Sequence, residues 1–311
     1  MDYSIVVPLF NEEDVITECH KRLSDTMAGC GGTYELILVN DGSSDGTMVL
    51  ARSIAESDRH VRIISFSRNF GHQYAITAGM DKALGDAVVV IDADLQDPPQ
   101  VIPEMIAKWK EGFEVVYCKR IKRKGESVFK RATAKIFYRT LNSLADVSLP
   151  EDSGDFRLLD RKVVDMLKTM PERNRYVRGL VSWVGFRQAA IEYVREERFA
   201  GKTKYPLRKM LRLASDALTS FSQKPLKLPI YLGLFLSVVC FTLLIVMICL
   251  AIFTDFSFSV WAYFAVLSLF LDGIVFLCLG IIGQYIGRIH DESKARPLYI
   301  IGETVGFDEN I

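Results

Sequence analysis

The chain has 311 residues, of which 50% are hydrophobic and 24% are charged, and its 38 basic side chains balance its 38 acidic ones. This length allows one or two domains with a sizeable core, and the composition excludes a disordered, collagen-like or disulfide-stapled protein. The six cysteines form no CxxC pair, so the sequence also lacks the usual ligand spacing of a structural zinc site.

Short β-branched runs alternate with helical stretches along the first third of the chain. Strands are predicted at Ser4–Pro8, Tyr34–Asn40, Val61–Phe66, Ala87–Ile91 and Val115–Cys118. Helices are predicted between them at residues 13–28, 45–57, 72–84 and 99–111. Near-continuous apolar strands separated by helices predict an α/β fold with a mainly parallel sheet that is covered on both faces.

Polar, turn-rich segments follow the first four predicted strands. Their sequences are PLFNEED, NDGSSDGT, SRNFGHQ and DADLQDPP. Ligands of a parallel sheet bind beyond the carboxyl ends of its strands, which is where these segments begin. The sequence therefore predicts that the chemistry is located in these four segments.

Three oxygen-bearing side chains, Asp92, Asp94 and Gln96, directly follow the fourth predicted strand. Residues two apart at a strand end project to one side, so two carboxylates and an amide oxygen can converge on one ion. Such ligands suit Mg²⁺ or Mn²⁺ bound to substrate phosphates. The alternative is a set of ordinary acidic turn residues, but the parallel sheet and the closing Asp-Pro-Pro favour the metal.

The segment after the second predicted strand has two compatible interpretations. Asp45 or Ser44 would cap the following helix. Asp41, at the strand end, is free in this interpretation to accept hydrogen bonds from a base or a ribose. The segment Asn11–Glu13 has the same ambiguity.

Basic residues are concentrated in two stretches. Residues 119–139 contain nine Lys or Arg and a single acid, and residues 195–227 contain nine more Lys or Arg. Clusters of this kind bind nucleic acid, phosphates or anionic lipid, although a solvated helix face is the simpler alternative. The second stretch runs into an apolar segment, which favours lipid headgroups and phosphates over nucleic acid.

Two long apolar runs follow, at residues 228–254 and 257–287, and Asp272 interrupts the second. Since a spanning helix needs about 20 apolar residues, both runs are predicted to be transmembrane helices. Residues 205–223 have the pattern of an interfacial amphipathic helix, or alternatively of a helix packed on the soluble core. Lys and Arg flank the runs and are missing between them, which predicts cytoplasmic termini. Asp272 suggests self-association, hence a homo-oligomer.

The loop motifs in combination resemble those of the inverting family-2 glycosyltransferases, which have the GT-A fold. The resemblance first rests on VPLFNEED, LVNDGSSDGT and DADLQDPP. It extends through RNFGHQ, GDFRLLDR, RYVRGLVSWVGF, AGKTKYPLRKM and RPLYII to the polyprenyl-phosphate sugar transferases, in particular the bacterial bactoprenol glucosyltransferases. It implies a GT-A domain at residues 1–200, a juxtamembrane region at 201–227, two transmembrane helices within 228–287 and a cytoplasmic tail at 288–311.

The resemblance also implies roles for residues at matching positions. The base and ribose of the donor would be held by Pro8, Phe10, Glu12 and Asp41. The metal and the diphosphate would be held by Asp92, Asp94 and Gln96, and Ala93 would also bind the donor. Phosphates would be clamped by Arg120, Arg198 and Lys204, and the lipid phosphate by Arg131 and Lys135.

Asp94 and Asp155 are the candidate catalytic residues. Asp155 would position the acceptor or stabilise positive charge at the anomeric carbon, and a structural Asp facing Arg157 or Arg161 is an equal alternative. The expected activity is inverting transfer of glucose from UDP-glucose to undecaprenyl phosphate, in a multi-pass protein of the bacterial inner membrane. Because a lipid phosphate is already ionised near pH 7, this reaction needs no strong general base. Another sugar nucleotide, or a non-catalytic membrane adaptor on a transferase fold, are the alternatives.

Overall fold

A computed structural model describes residues 1–122, 153–170, 172–173, 175–194, 242 and 260–307. These residues fall into two compact units. The first contains the described residues up to 194 and those from 296 onward, and the second contains residue 242 and residues 260–295.

Strands and helices alternate along the first unit, as the sequence predicts. The strands are β1 (Tyr3–Leu9), β2 (Tyr34–Asn40), β3 (Val61–Phe66), β4 (Ala87–Val90), β5 (Val115–Lys122), β6 (Ser153–Asp160), β7 (Gln188–Val194) and β8 (Ile301–Val305). The helices are α1 (Ile16–Cys30), α2 (Thr47–Ser57), α3 (His72–Lys82), α4 (Ile102–Lys110), α5 (Arg161–Thr169) and α6 (Val177–Trp183), with a short 3-10 turn at Pro99–Val101. The second unit contains α7 (Val260–Ser293).

The eight described strands form one mixed sheet in the order β7-β5-β6-β4-β1-β2-β3-β8. The central strands β4, β1, β2 and β3 are parallel, which confirms the predicted α/β architecture of the GT-A type. Strand β6 runs antiparallel between β4 and β5. The parallel register aligns Leu9 with Asn40 and Asn40 with Ser65, so β1, β2 and β3 end at the same edge of the sheet.

Both faces of the sheet are covered, because every residue of β1 and β4 is buried. Alternate residues of β1, such as Ile5 and Val7, lie in one core with Leu23 of α1 and Met105 of α4. The opposite face packs against α3, where Gly79 approaches the sheet closely. A Cβ atom on Gly79 would lie 2.2 Å from Cγ1 of Val6, so this packing requires glycine.

The sequence analysis did not predict β8. This strand pairs antiparallel with β3, so residues 301–305 complete one edge of the sheet. Its five residues are too few to show a clear periodicity, and its partner is more than 230 positions away in the sequence.

The two predicted transmembrane helices are not supported. In the part of the chain that the structure describes, no helix combines the length with the apolar composition that crossing a membrane requires. The second predicted span corresponds to α7, where Asp272 lies near the middle and the last turns contain Arg288, Asp291 and Glu292, and charges of this kind are costly in hydrocarbon. The first predicted span, 228–254, lies outside the described residues apart from Thr242.

The predicted fold class and localisation are corrected accordingly. A fold with two transmembrane helices, and a multi-pass protein of the bacterial inner membrane, are both contradicted by the finding on the described helices. The predicted amphipathic helix at 205–223 lies outside the described residues.

A hydrogen-bonded cluster of two histidines and a carboxylate joins α1 to the turn before β3. Asp58 Oδ2 lies 2.9 Å from His20 Nε2, and Asp58 Oδ1 lies 2.7 Å from His60 Nδ1 and 2.9 Å from the backbone nitrogen of His60. Burial acts to raise the pKa of Asp58, but the hydrogen bonds from His60 and His20 outweigh it and lower the pKa to about 2.

We predict that Gly79→Ala destabilises the protein by about 1–3 kcal/mol, because the added methyl group overpacks the contact with Val6. Gly29→Ala is the matched control, since its Cβ would meet nothing within 4 Å and alanine favours the helix. Urea denaturation measures the free energy of unfolding of both variants. Equal stability of the two variants would contradict the close approach of α3 to β1.

Asp58→Asn should destabilise the protein by about 1–2 kcal/mol at pH 7, because the amide loses the charge that the two histidines favour. A depressed carboxylate pKa stabilises the fold above the unfolded value of 3.8, and this contribution disappears as the pH falls through about 2. The difference between wild type and variant should therefore shrink between pH 4 and pH 2. Asp25→Asn, exposed on α1, the helix that carries His20, is the control, and a difference that persists unchanged at pH 2 would refute the assignment.

Candidate active site

The segments after β1 and β2 are joined by hydrogen bonds at the carboxyl edge of the sheet. The backbone nitrogens of Asn11 and Glu12 donate to Ser43 Oγ (3.0 Å) and Thr47 Oγ1 (2.8 Å). In return, Asn11 Oδ1 accepts from the backbone nitrogen of Ser44 at 2.9 Å. The two loops therefore form one rigid platform. Asp45 accepts from the backbone nitrogen of Thr47, as a cap of α2 would.

Asp41 organises the segment that follows β3. Its buried carboxylate accepts hydrogen bonds from the backbone nitrogens of Phe70 (2.7 Å) and Gly71 (3.0 Å) and from Asn69 Nδ2 (2.9 Å). Burial raises the pKa of Asp41, although these donors act in the opposite direction. The adjacent Gly42 has a φ of +64°, and a Cβ there would lie 2.3 Å from the backbone carbon of Arg68. The carboxylate is thus already used by the protein, and contact with a base or a ribose stays a prediction.

Burial alternates along the segment after β4. Asp92, Asp94 and Gln96 are partly exposed, whereas the residues between them are buried. This alternation agrees with the expectation that the three oxygen-bearing side chains share one side. Asp94 Oδ1 also accepts from the backbone nitrogen of Gln96 at 3.1 Å, which fixes the turn.

Asp155 is brought to Asp92 by the antiparallel pairing of β6 with β4. Arg157 pairs with Val90, and Asp155 precedes Arg157 by two residues just as Asp92 follows Val90 by two. His72, the first residue of α3, bridges the two carboxylates: its Nε2 lies 3.3 Å from Asp155 Oδ2 and 3.4 Å from Asp92 Oδ1.

The second partner of Asp155 is Arg178 on α6. Arg178 Nε donates to Asp155 Oδ1 at 2.7 Å, and its Nη2 donates to Oδ2 at 2.9 Å, which is a bidentate ion pair. Of the two arginines expected to face Asp155, Arg157 donates to the carbonyl of Gly154 and Arg161 donates to the carbonyl of Gly85. The carboxylate therefore faces Arg178 and His72 at the sheet edge.

The electrostatics of this cluster separate the two carboxylates. Burial acts to raise the pKa of Asp155, but Arg178 and His72 outweigh it and hold the pKa well below its usual range. Burial raises the pKa of Asp92 to about 6, and the neighbouring carboxylates add to this effect against His72. Burial would lower the pKa of His72, yet Asp92 and Asp155 raise it to about 9. At neutral pH, His72 is thus an imidazolium, and Asp155 is a carboxylate with little basicity.

The residues present fit a divalent cation. Asp92 Oδ1 is buried and accepts no hydrogen bond from the described residues. Two carboxylates and an amide oxygen are the hard ligands that Mg²⁺ and Mn²⁺ prefer. Among the described residues, no three His, Cys, Asp or Glu side chains are grouped so as to enclose a metal by themselves. A cation at Asp92, Asp94 and Gln96 would therefore depend on substrate phosphates for further ligands.

The other predicted site residues have varied surroundings. Pro8 is buried within β1 and aligned with Val39, Glu12 is partly exposed, and the Phe10 side chain is 38% exposed at the end of β1. Ala93 is buried behind the acidic segment. Arg120 belongs to β5, but its side chain lies outside the described part of the structure, as do Arg131, Lys135, Arg198 and Lys204 altogether.

Two residues of the cluster escaped the sequence analysis. His72 has no role in the sequence analysis, although it stands in SRNFGHQ, one of the four polar segments at the strand ends. Arg178 lies in RYVRGLVSWVGF, which contributed to the resemblance without an assigned role. Its contact with Asp155 joins residues 23 positions apart on different elements, so no local pattern could reveal it.

Comparison with known proteins gives consistent matches. The model of Glycosyl transferase family 2 matches residues 4–167. The uncharacterized glycosyltransferase YkcC of Bacillus subtilis (strain 168) is 56% identical over 99% of this chain and 95% of its own length. The prophage bactoprenol glucosyl transferase homolog of Escherichia coli (strain K12) is 42% identical over 97% of this chain and 98% of its own length.

A solved structure with a similar fold is glucosyl-3-phosphoglycerate synthase from Mycobacterium tuberculosis in complex with uridine-diphosphate. Its TM-score is 0.46 and its sequence is 21% identical, and the match covers 70% of this chain and 79% of that one.

Arg178→Gln should destabilise the protein by about 3 kcal/mol, because it leaves the buried carboxylate of Asp155 without its strongest partner. In the double variant with Asp155→Asn, the loss should be smaller than the sum of the single losses by at least about 1 kcal/mol. Urea denaturation of the four proteins measures this coupling. Lys162→Gln, which breaks the exposed ion pair with Glu114, should cost less than about 1 kcal/mol. Additive losses at Arg178 and Asp155 would show that the pair does not interact.

Proposed function

This chain belongs to glycosyltransferase family 2, and on that premise we propose that it transfers glucose from UDP-glucose to undecaprenyl phosphate with inversion at the anomeric carbon. That it is a glycosyltransferase follows from its family membership. Relatives named bactoprenol glucosyl transferase, 42% identical over nearly the whole chain, support the sugar and the lipid of the proposal.

The observation that carries the proposal is the oxygen-bearing row Asp92, Asp94 and Gln96 beside the ion pair of Asp155 with Arg178. A sugar nucleotide leaves as a nucleoside diphosphate, whose negative charge must be neutralised. A Mg²⁺ or Mn²⁺ ion held by Asp92, Asp94 and Gln96 would supply positive charge to that diphosphate. The buried Oδ1 of Asp92, which accepts no hydrogen bond from the described residues, supports this use of the row.

Asp155, the buried carboxylate proposed for the acceptor end of the site, has little of the basicity that an alcohol acceptor would require. Arg178 and His72 hold the pKa of Asp155 well below its usual range, so this carboxylate is a poor general base. A phosphate monoester acceptor is already ionised and attacks without giving up a proton to the enzyme. The geometry therefore favours a phosphate over a hydroxyl as the nucleophile.

Asp155 and His72 would then act by charge and position. The imidazolium of His72 lies between Asp92 and Asp155, so it offsets the negative charge of the two carboxylates where two phosphate-bearing substrates must meet. Asp155, fixed by the bidentate Arg178, would stabilise positive charge that develops at the anomeric carbon. In-line attack from the opposite side of the sugar inverts its configuration in a single step.

We propose the platform formed by the segments after β1 and β2 as the binding site of the donor nucleoside. Exposed Phe10 offers a ring for the base, and Glu12 lies beside it on the fixed loop. Arg120, Arg198 and Lys204 are proposed for the donor phosphates, and Arg131 and Lys135 for the lipid phosphate. Self-association through Asp272 also stays a proposal.

The test is a transfer assay with purified full-length protein, Mg²⁺ or Mn²⁺, detergent-solubilised undecaprenyl phosphate and a panel of radiolabelled UDP- and GDP-sugars. We expect label to enter the lipid from UDP-glucose, and Asp94→Asn to reduce the rate by at least about 10²-fold because it removes a charged ligand of the cation and diphosphate. NMR of the product should show the β-linked glycosyl phosphate.

Asp165→Asn, on the exposed face of α5, is the matched control and should keep the wild-type rate. Transfer from another sugar nucleotide would correct the sugar and keep the mechanism. No transfer to the lipid from any donor, by folded protein, would refute the proposed reaction.

A further inference from the structure

We infer that Tyr299, in the C-terminal segment, is a positioning residue for the donor site. The segment 67–71, which follows β3, carries Arg68 and leads into His72, and its first three residues are exposed. Asp41 holds this segment from one side. Tyr299, two residues before β8, stacks on Phe66 just before this segment, so the C-terminal part of the chain contributes to the site although it lies far from it in the sequence.

The first contact of Tyr299 is an aromatic stack on the end of β3. Its ring stacks on Phe66 with 5.1 Å between centroids and 15° between planes. Phe66 meets Phe70 edge to face at 5.6 Å, and the guanidinium of Arg68 lies over the Phe70 ring at 4.0 Å. Three aromatic rings therefore connect the C-terminal segment to an exposed cation at the edge of the donor platform.

The last of these rings belongs to Phe70, whose backbone nitrogen is also bound by Asp41. The nitrogen of Phe70 donates to Asp41 Oδ1 at 2.7 Å, so a shift of the Phe70 ring would also move that hydrogen bond. The neighbouring backbone of Ser67 is fixed as well, because its nitrogen donates to the carbonyl of Ile300 at 3.0 Å. The conformation of residues 67–71 is thus determined jointly by Asp41 and by residues 299–300.

The second contact of Tyr299 is with α3. Its hydroxyl donates to Asp81 Oδ2 at 2.8 Å, and Asp81 is the last residue but one of the helix that begins at His72. Tyr299 therefore touches both the strand before the segment and the helix after it. His72, at the opposite end of α3 from Asp81, follows this segment directly and reaches Asp92 and Asp155.

The inference rests on the proposed function for its substrate, but its test includes a measurement that needs none. Hydrogen exchange measures how fast the amide protons of Phe70 and Gly71 exchange with solvent, and Asp41 binds both amides directly. In Tyr299→Ala these amides should exchange about tenfold faster than in the wild type, because the opening of the segment becomes easier. The KM for UDP-glucose should rise about fivefold or more, with a smaller change in kcat.

Two variants separate the contacts of Tyr299. Tyr299→Phe keeps the stack on Phe66 and loses only the hydroxyl, so its KM should stay within about twofold of the wild type if the stack dominates. Glu303→Gln, on β8 four residues after Tyr299, is the matched control: it breaks the exposed ion pair with Arg52 of α2, 2.5 Å long, and Glu303 pairs with Ser65 rather than with a residue of 67–71. It should leave the KM and the exchange of Phe70 and Gly71 unchanged. If Tyr299→Ala fails to fold, Tyr299→Leu replaces it.

A purely structural role for Tyr299 predicts a different result. In that case Tyr299→Ala would lower thermal stability while the KM and the exchange at Phe70 and Gly71 match those of Glu303→Gln, and the inference would be overturned. Faster exchange at these two amides in a protein that transfers no glucose would support the positioning role and refute the proposed reaction instead.

Discussion

The buried carboxylate of Asp155 imposes the central constraint on this structure. A charge in that position is costly unless it is paired, and here Arg178 binds both of its oxygens while His72 approaches one of them. Each partner comes from a different element, so β6, α6 and the start of α3 must converge for the charge to be tolerated. That convergence places an imidazolium and a guanidinium at the carboxyl edge of the sheet, beside the acidic residues that follow β4. Stability and the chemistry of the site therefore depend on the same contacts.

How far the sequence could predict this arrangement depends on how local each feature is. The parallel strands and their polar ends follow from alternating apolar and helical patterns, so Asp41, Asp92 and Asp94 could be placed at one edge in advance. The antiparallel position of β6 in the sheet could not be predicted, because β6 pairs with β4 although it lies more than 60 residues later in the sequence. Asp155 was therefore recognised only through the resemblance, and its partner Arg178 was assigned no role. The position of β6 and the partner of Asp155 depend on long-range pairing, which the local sequence pattern does not contain.

The C-terminal part of the chain illustrates the same limit. The apolar run from residue 257 to 287 was read by composition alone, whereas α7 begins at Val260 and continues into a charged last turn at Ser293. The residues beyond it were read as a tail, yet five of them form β8 against β3. A short edge strand has little pattern of its own. It becomes stable only through its partner, here with help from the stack of Tyr299 on Phe66.

The segment between β3 and α3 is therefore held at three points by residues that are distant in the sequence. Asp41 binds its backbone, residues 299–300 bind its beginning, and Asp155 binds His72 at its end. The first contact faces the donor platform, and the last faces the proposed acceptor phosphate. A segment so fixed at both ends can set the distance between two anionic substrates before either binds, which lowers the entropic cost of bringing them into line. For the proposed reaction, the segment after β3 would thus matter as much as the acidic row after β4.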